Sequence, residues 1–319
     1  MLETQEGLYW FMFNNLGVVK YDSRKETEQF ILYTNQNGLP ADVFTLNGLL
    51  SDREGNVWIN TLGNGIIKFH DADFVNFFKK DGLPQELVRG LLQDSQGNIW
   101  IGTSSNGFCK YDGKKMIRFP ISENPAFGRV WNFAEEEDGN ILVATGSGLR
   151  RYHLKDKTYK LVHQEFSLPQ VAIRSIFNEK NQLVFGSLGK GVFFYDKKTK
   201  KITKQLTNKD GLGENTIWDI DKDSKGNYWI ATRNGLNKFD GSKLSNFKDI
   251  AVVSDALMLD ICIDKNDKVW FVDYHTGLHV FDGQKTKAYT QNNGLAANLA
   301  YSVTCDQEGD IWIGTQRGL

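Results

Sequence analysis

Three arginines occupy comparable places in consecutive stretches of the chain: Arg89, Arg129 and Arg174. A guanidinium is a planar fork of donors, so arginines brought together clamp a carboxylate, sulfate or phosphate. Trp131, Trp218 and Tyr301 fall in the same zones, and exposed rings of this kind stack on sugar faces. Asn215 and Asn298 stand nearby as amide partners, with Arg233 and Asn234 on a turn. His275 lies two residues after Asp273 and four before His279. A histidine beside an acid can act as general base or metal ligand. Four residues apart across a turn, however, the two histidines lack the helical pairing of a zinc protease. The set reads as ligand-binding, with no catalytic residue, metal or cofactor assigned.

The elements that must hold these residues are visible in the composition. The chain has 319 residues, of which 40% are hydrophobic and 24% charged, with net charge −1. That balance excludes a disordered chain and a nucleic-acid binder. No apolar run reaches the roughly 18 residues of a membrane span. The opening Met1-Leu2-Glu3-Thr4-Gln5-Glu6 lacks the basic and apolar regions of a signal peptide. Cys109, Cys262 and Cys305 form no CxxC pair and read as small apolar strand residues. Abundant aromatics and 31 glycines beside only 5 prolines favour strands joined by tight turns over a helical bundle.

The strands repeat. Gly97-Asn98-Ile99-Trp100-Ile101 has close copies around Trp58, Trp229 and Trp312 and looser ones around Trp10 and Trp270. Leu142 and Val184 mark two copies that have lost the indole. The anchors 10, 58, 100, 142, 184, 229, 270 and 312 define a unit of about 42 residues. Six residues before the anchor stands Asp52, Asp94, Glu136, Asn178, Asp223, Asp264 or Asp306, opening a tight turn that Gly or Asn completes three residues later. Three after it comes Thr61, Thr103, Thr145, Ser187, Thr232 or Thr315, then a second glycine turn and an aromatic residue such as Phe69 or Tyr111. Each unit holds four short strands and no helical period, the arithmetic of a β-propeller blade. One or two acids per turn are too few for a calcium loop. Lys-rich Lys197 to Lys201 reads as a solvated turn.

The spacing predicts an all-β fold: a single β-propeller over 1–319, of four-stranded antiparallel blades and seven-bladed. Six complete blades cover about 37–296, and the first blade is shared by 1–36 and about 297–319. An incomplete eight-bladed ring is the alternative, because Trp10 and Trp312 both claim a second strand. The binding residues then belong at the start of each blade's inner strand, around the axial funnel. Arg89, Arg129 and Arg174 lie 11, 13 and 10 residues before their anchors, which does not ensure a common facing. Trp131, Trp218 and Tyr301 read as standing outside the repeat.

Asp94 to Thr103 with Asn106-Gly107-Phe108 and Tyr111-Asp112-Gly113, Asp223 to Thr232 with Gly235-Leu236, and Asp306 to Thr315 closely resemble the two-component regulator propeller repeat. The resemblance covers essentially the whole chain. It implies the sensor region of a bacterial hybrid histidine kinase, a family common in Bacteroidetes, and hence a periplasmic or extracellular location. It implies a non-catalytic module that recognises a small molecule or oligosaccharide, with further kinase domains or a second copy as partners. The chain itself has no kinase segment, no inserted membrane segment and no sign of a nucleic-acid partner. A lyase- or sialidase-like propeller enzyme and a protein-interaction scaffold are the competing readings.

Overall fold

A computed structural model describes residues 2–4, 7–13, 17–25, 30–39, 46–61, 63–70, 73–120, 128–247, 258–273, 276–293, 295, 298, 300–305 and 311–315. The chain divides into two compact units, Met1–His163 and Gln164–Leu319. In the first unit, β1 (Leu2–Glu3), β2 (Leu8–Phe13), β3 (Gly17–Asp22) and β4 (Phe30–Tyr33) form one sheet. The second sheet is β5 (Leu46–Ser51), β6 (Val57–Thr61), β7 (Ile66–His70) and β8 (Asp73–Phe77). The third is β9 (Val88–Gln93), β10 (Ile99–Thr103), β11 (Phe108–Tyr111) and β12 (Met116–Phe119). The fourth is β13 (Val130–Glu135), β14 (Ile141–Thr145), β15 (Gly148–His153) and β16 (Thr158–Leu161).

The second unit opens with β17 (Ile173–Asn178), β18 (Gln182–Ser187), β19 (Val192–Asp196) and β20 (Lys201–Leu206). Next come β21 (Ile217–Lys222), β22 (Tyr228–Thr232), β23 (Gly235–Phe239) and β24 (Leu244–Asn246). The last full sheet is β25 (Met258–Ile263), β26 (Val269–Asp273), β27 (Gly277–Phe281) and β28 (Thr286–Tyr289). A separate pair, β29 (Ala300–Cys305) and β30 (Ile311–Thr315), follows it. Every pairing is an antiparallel meander, and the fold class is the predicted one: a seven-bladed, all-β propeller of four-stranded blades.

The strand sharing expected between the termini is not observed. β1 pairs with β2 in the register Leu2↔Trp10 and Glu3↔Tyr9, whereas β29 pairs with β30. The first sheet thus takes its inner strand from residues 2–3. Two residues are too few to show an alternating pattern, which is why the sequence conceals β1. The turn after it betrays it in three dimensions. Thr4 N–H donates to the Leu8 carbonyl and Gly7 N–H to the Thr4 carbonyl, as Asp52 and Gly55 do with Asn56 and Asp52 in the next sheet.

The conserved-looking turn acid does more than open a turn. One Asp94 oxygen accepts the Asn98 N–H at 2.9 Å, and the other accepts the Trp100 indole N–H at 2.8 Å, while the Asn98 amide bridges both. Asp52 holds Asn56 and Trp58 in the same way, and Asp223 holds Asn227 and Trp229. Asp264 reaches Trp270 at 2.9 Å. The clasped indoles lie between consecutive sheets, as the repeat predicts. Trp58 packs with Val88, Ile99 and Ile101, and Trp100 with Ile141, Val143 and Tyr152. The aromatic that ends the next sheet's third strand meets each indole: Phe69 at 4.5 Å from Trp10, Tyr111 at 5.6 Å from Trp58, Tyr152 at 4.9 Å from Trp100. The cross-strand lysine covers the other ring surface, with Lys68 over Trp58 and Lys110 over Trp100.

At the opposite end of the second strand, a hydroxyl ties the hairpin. Thr61, Thr103, Thr145, Ser187 and Thr232 each donate to the carbonyl of the glycine that starts the third strand. Gly65 adopts φ +78°, and a Cβ there would lie 2.0 Å from the Phe77 carbonyl oxygen, so only glycine passes.

Removing the clasp leaves an indole N–H and an amide buried without an acceptor. Asp94→Ala is expected to cost about 2–4 kcal/mol in urea unfolding. Trp10 supplies the converse test: Thr4 stands where the acid should be, and Trp10 Nε1 has no partner among the described residues. Thr4→Asp should restore that acceptor and raise the unfolding midpoint.

Candidate functional site

Seven inner strands share one irregularity. In β5, β9, β13, β17, β21, β25 and β29 the register with the neighbouring strand slips after the first residue. The residues skipped are Asn47, Arg89, Trp131, Arg174, Trp218, Leu259 and Tyr301. A bulge of this kind takes one residue out of the ladder and re-aims its side chain. The two tryptophans, the tyrosine and two of the three arginines therefore occupy a single repeat position. This overturns the reading that Trp131, Trp218 and Tyr301 stand outside the repeat. Six of the seven lie 11 residues before their anchors. Arg174 lies 10 before Val184 because its turn is one residue shorter: Glu179, not Asn178, opens it by donating its N–H to the Gln182 carbonyl. Arg129 is the odd arginine, one residue ahead of β13.

In the first unit, Arg89 Nε donates to Ser104 Oγ at 2.6 Å, and the Arg89 carbonyl accepts the Asn60 amide at 3.0 Å. Ser104 is itself set by its N–H bond to the Leu87 carbonyl. Arg129 is exposed, with its guanidinium 5.6 Å from the Trp131 ring centre and its carbonyl bound by Gly146 N–H at 2.9 Å. Burial, and then the charge of Arg129, lower the Arg89 pKa. β9 and β13 approach so closely that a Cβ on Gly90 would lie 2.7 Å from the Trp131 carbonyl oxygen.

In the second unit, the Arg174 guanidinium lies 4.2 Å from the Trp218 ring centre, and its Nε donates to the Trp218 carbonyl at 3.2 Å. Trp218 Nε1 is buried with no partner among the described residues. Asn215 and Asn298 turn out to be braces. Asn215 accepts the Asn208 N–H at 2.8 Å, and its carbonyl takes the N–H groups of Gly189 and Gly191. Asn298 accepts the Gln291 N–H at 2.7 Å across the same seven-residue span. Arg233 is exposed on the turn after β22. His275 lies outside the described residues, as does the Tyr301 side chain. His279 is buried in β27, stacked on Phe271 at 5.1 Å with Nε2 2.9 Å from Thr276 Oγ1. Cys262 is disulfide-bonded rather than a free apolar thiol, and Cys109 is free and buried.

The residue after the bulge carries a feature that sequence reading missed. Asp219 and Asp260 occupy this position in adjacent β21 and β25, one residue nearer their anchors than the bulge row. Both are half-buried, and their carboxyl groups interact with one another. Asp260 also accepts the Val303 N–H at 3.1 Å and the Ile261 N–H at 3.2 Å. Burial, then the charge of Asp260 and more weakly of Asp221, push Asp219 well up, while burial pushes Asp260 up to about 6. Two acids at one offset in consecutive repeats were the available signal. Among the described residues, no three His, Cys, Asp or Glu side chains converge.

Solved structures with this fold include the extracellular domain of a putative hybrid two component system from B. thetaiotaomicron. It is 22% identical, with TM-score 0.68, covering 99% of this chain and 50% of that one. A streptogramin B lyase aligns at 19% identity and TM-score 0.64, over 88% of this chain and 94% of the lyase. Histidine kinase P4 of Formosa agariphila is 28% identical over 185 residues, which is 53% of this chain but 14% of the kinase. The chain thus spans a small part of that kinase and half of the solved extracellular domain. Among the described residues, no helix is long and apolar enough to cross a membrane. The family model for the two component regulator propeller matches residues 82–105, 211–234 and 294–317.

The acid pair binds protons more tightly folded than unfolded. Its stabilising contribution is complete below the unfolded value near 3.8 and is lost as pH rises through about 6 and beyond. Thermal melts should show Tm falling by about 2–4 °C between pH 5 and pH 8. Asp219→Asn, which keeps a donor toward Asp260, should flatten that slope.

Proposed function

We propose, for a chain built of two-component regulator propeller repeats, a ligand-sensing module that recognises a glycan fragment through its inner-strand bulge row. The observation that carries the reading is the pairing of a guanidinium, on the row or two residues ahead of it, with a row indole. Arg129 stacks on Trp131 in the first unit and Arg174 on Trp218 in the second. An indole face takes the C–H surface of a sugar, and a guanidinium held beside it donates to ring hydroxyls or acidic substituents. Guanidinium and indole supply no general base, so the row suits binding better than turnover.

The extracellular domain among the structural neighbours is part of a two-component system. By this reading the chain is the input region of a sensor kinase, its partners being the ligand and the kinase's other domains. The disulfide at Cys262 suits an oxidising, extracytoplasmic compartment. Isothermal titration against a panel of neutral and acidic oligosaccharides tests the binding claim. At least one glycan should bind saturably and unchanged, with affinity falling about tenfold in Trp218→Ala, the loss of roughly one stacked ring. Absence of saturable binding across the panel overturns it.

A further inference from the structure

The first unit places two positive charges where neutral contacts would serve a neutral sugar. Arg89 is half-buried and held at Nε by Ser104, so its position is set before any ligand arrives. Arg129 rests over Trp131, and the carbonyl bond from Gly146 fixes the backbone from which it extends. Arg129 has no carboxylate partner among the described residues, and its charge is the one that acts unfavourably on the Arg89 guanidinium. The two extend from strands that run close together, since a Cβ on Gly90 would lie 2.7 Å from the Trp131 carbonyl oxygen. An anion between them reverses the sign of the interaction. A guanidinium fork on each side matches the two or three oxygens of an oxyanion.

We infer that Arg89 and Arg129, with Ser104 and the Trp131 face, form a clamp for an oxyanion substituent on a sugar ring, either a carboxylate or a sulfate ester. The inference rests on the reading of the bulge row as a glycan site and adds the charge of the ligand to it. Ser104 keeps Arg89 extended, Arg129 closes over the substituent from the exposed side, and the Trp131 ring receives the sugar that carries it. The Arg174–Trp218 pair lacks a second arginine two residues before its tryptophan, where Thr216 stands, so the clamp belongs to the first unit alone.

The test is titration of the whole chain with oligogalacturonate, a sulfated galactan oligosaccharide, the uncharged galactan oligosaccharide and inorganic sulfate, in low and moderate salt. One of the acidic sugars should bind at least tenfold tighter than the neutral one, with an affinity that weakens as salt rises. Arg129→Gln should abolish that difference, costing the acidic sugar far more affinity than the neutral one, and leave Tm unchanged, because Arg129 is exposed. Arg129→Lys should recover part of it, as a point charge without the fork. Equal binding of acidic and neutral sugars overturns the clamp and leaves the glycan reading standing. Arg129-dependent binding of inorganic sulfate with no sugar bound keeps the clamp and overturns the glycan reading. If the acidic preference survives Arg129→Gln unchanged, the clamp is not where the charge is read.

Discussion

A buried carboxylate holds together the blades anchored at Trp58, Trp100, Trp229 and Trp270. Asp52, Asp94 and Asp223 each satisfy the turn backbone with one oxygen and an indole N–H with the other. The interaction locks the first hairpin of a sheet to the side chain that packs on the next sheet, so local turn and tertiary contact form as one unit. An indole without an acceptor would bury an unpaired donor at a cost of about 1–3 kcal/mol. Where the indole is gone, the acid changes its partner. Glu136 pairs with Arg151 at 2.5 Å, and Glu179 bonds Lys222 and Tyr228 of the following sheet. The stitch between sheets survives at Glu179 with different chemistry, whereas Glu136 is satisfied within its own sheet.

This division of labour frees the inner strand. Its first residue is buried at Val88, Val130, Ile173 and Ile217, and sits opposite the hydroxyl that ties the second hairpin. The second is ejected by the bulge, and the third points toward the neighbouring inner strand. Stability is thus carried by the clasp and the hydroxyl tie, while the bulge residue is Arg, Trp, Asn, Leu or Tyr without consequence for the ladder. Bulges are a common device for re-aiming functional side chains, and here one is repeated seven times.

The fold was legible because its signal recurs every 42 residues or so, and a recurring clasp needs the same residues each time. The candidate site was half legible. Residue type pointed to Arg89, Trp131, Arg174 and Trp218, but their common position was hidden by the shortened turn at Glu179 and by Arg129, which lies two residues away from the row. Asn215 and Asn298 drew notice as amides and proved to be spent on backbone N–H groups. Asp219 and Asp260 were passed over because an acid in a strand looks like a solvated one until a neighbouring strand covers it. β1 escaped for a different reason: pairing, not pattern, makes two residues a strand.

By itself the sequence determined the blade, its four strands, the indole anchors between sheets and the residue types of the candidate site. These follow from local turn chemistry and from hydrophobic alternation, both readable along the chain. Only the tertiary structure decided that the first sheet supplies its own inner strand, that arginines and tryptophans share one bulge position, that Arg89 and Arg129 extend from closely packed neighbouring strands, and that two aspartates interact. Each of those depends on which strands lie side by side. Register and lateral contact are set by pairing across some 40 residues, and no local pattern encodes the partner.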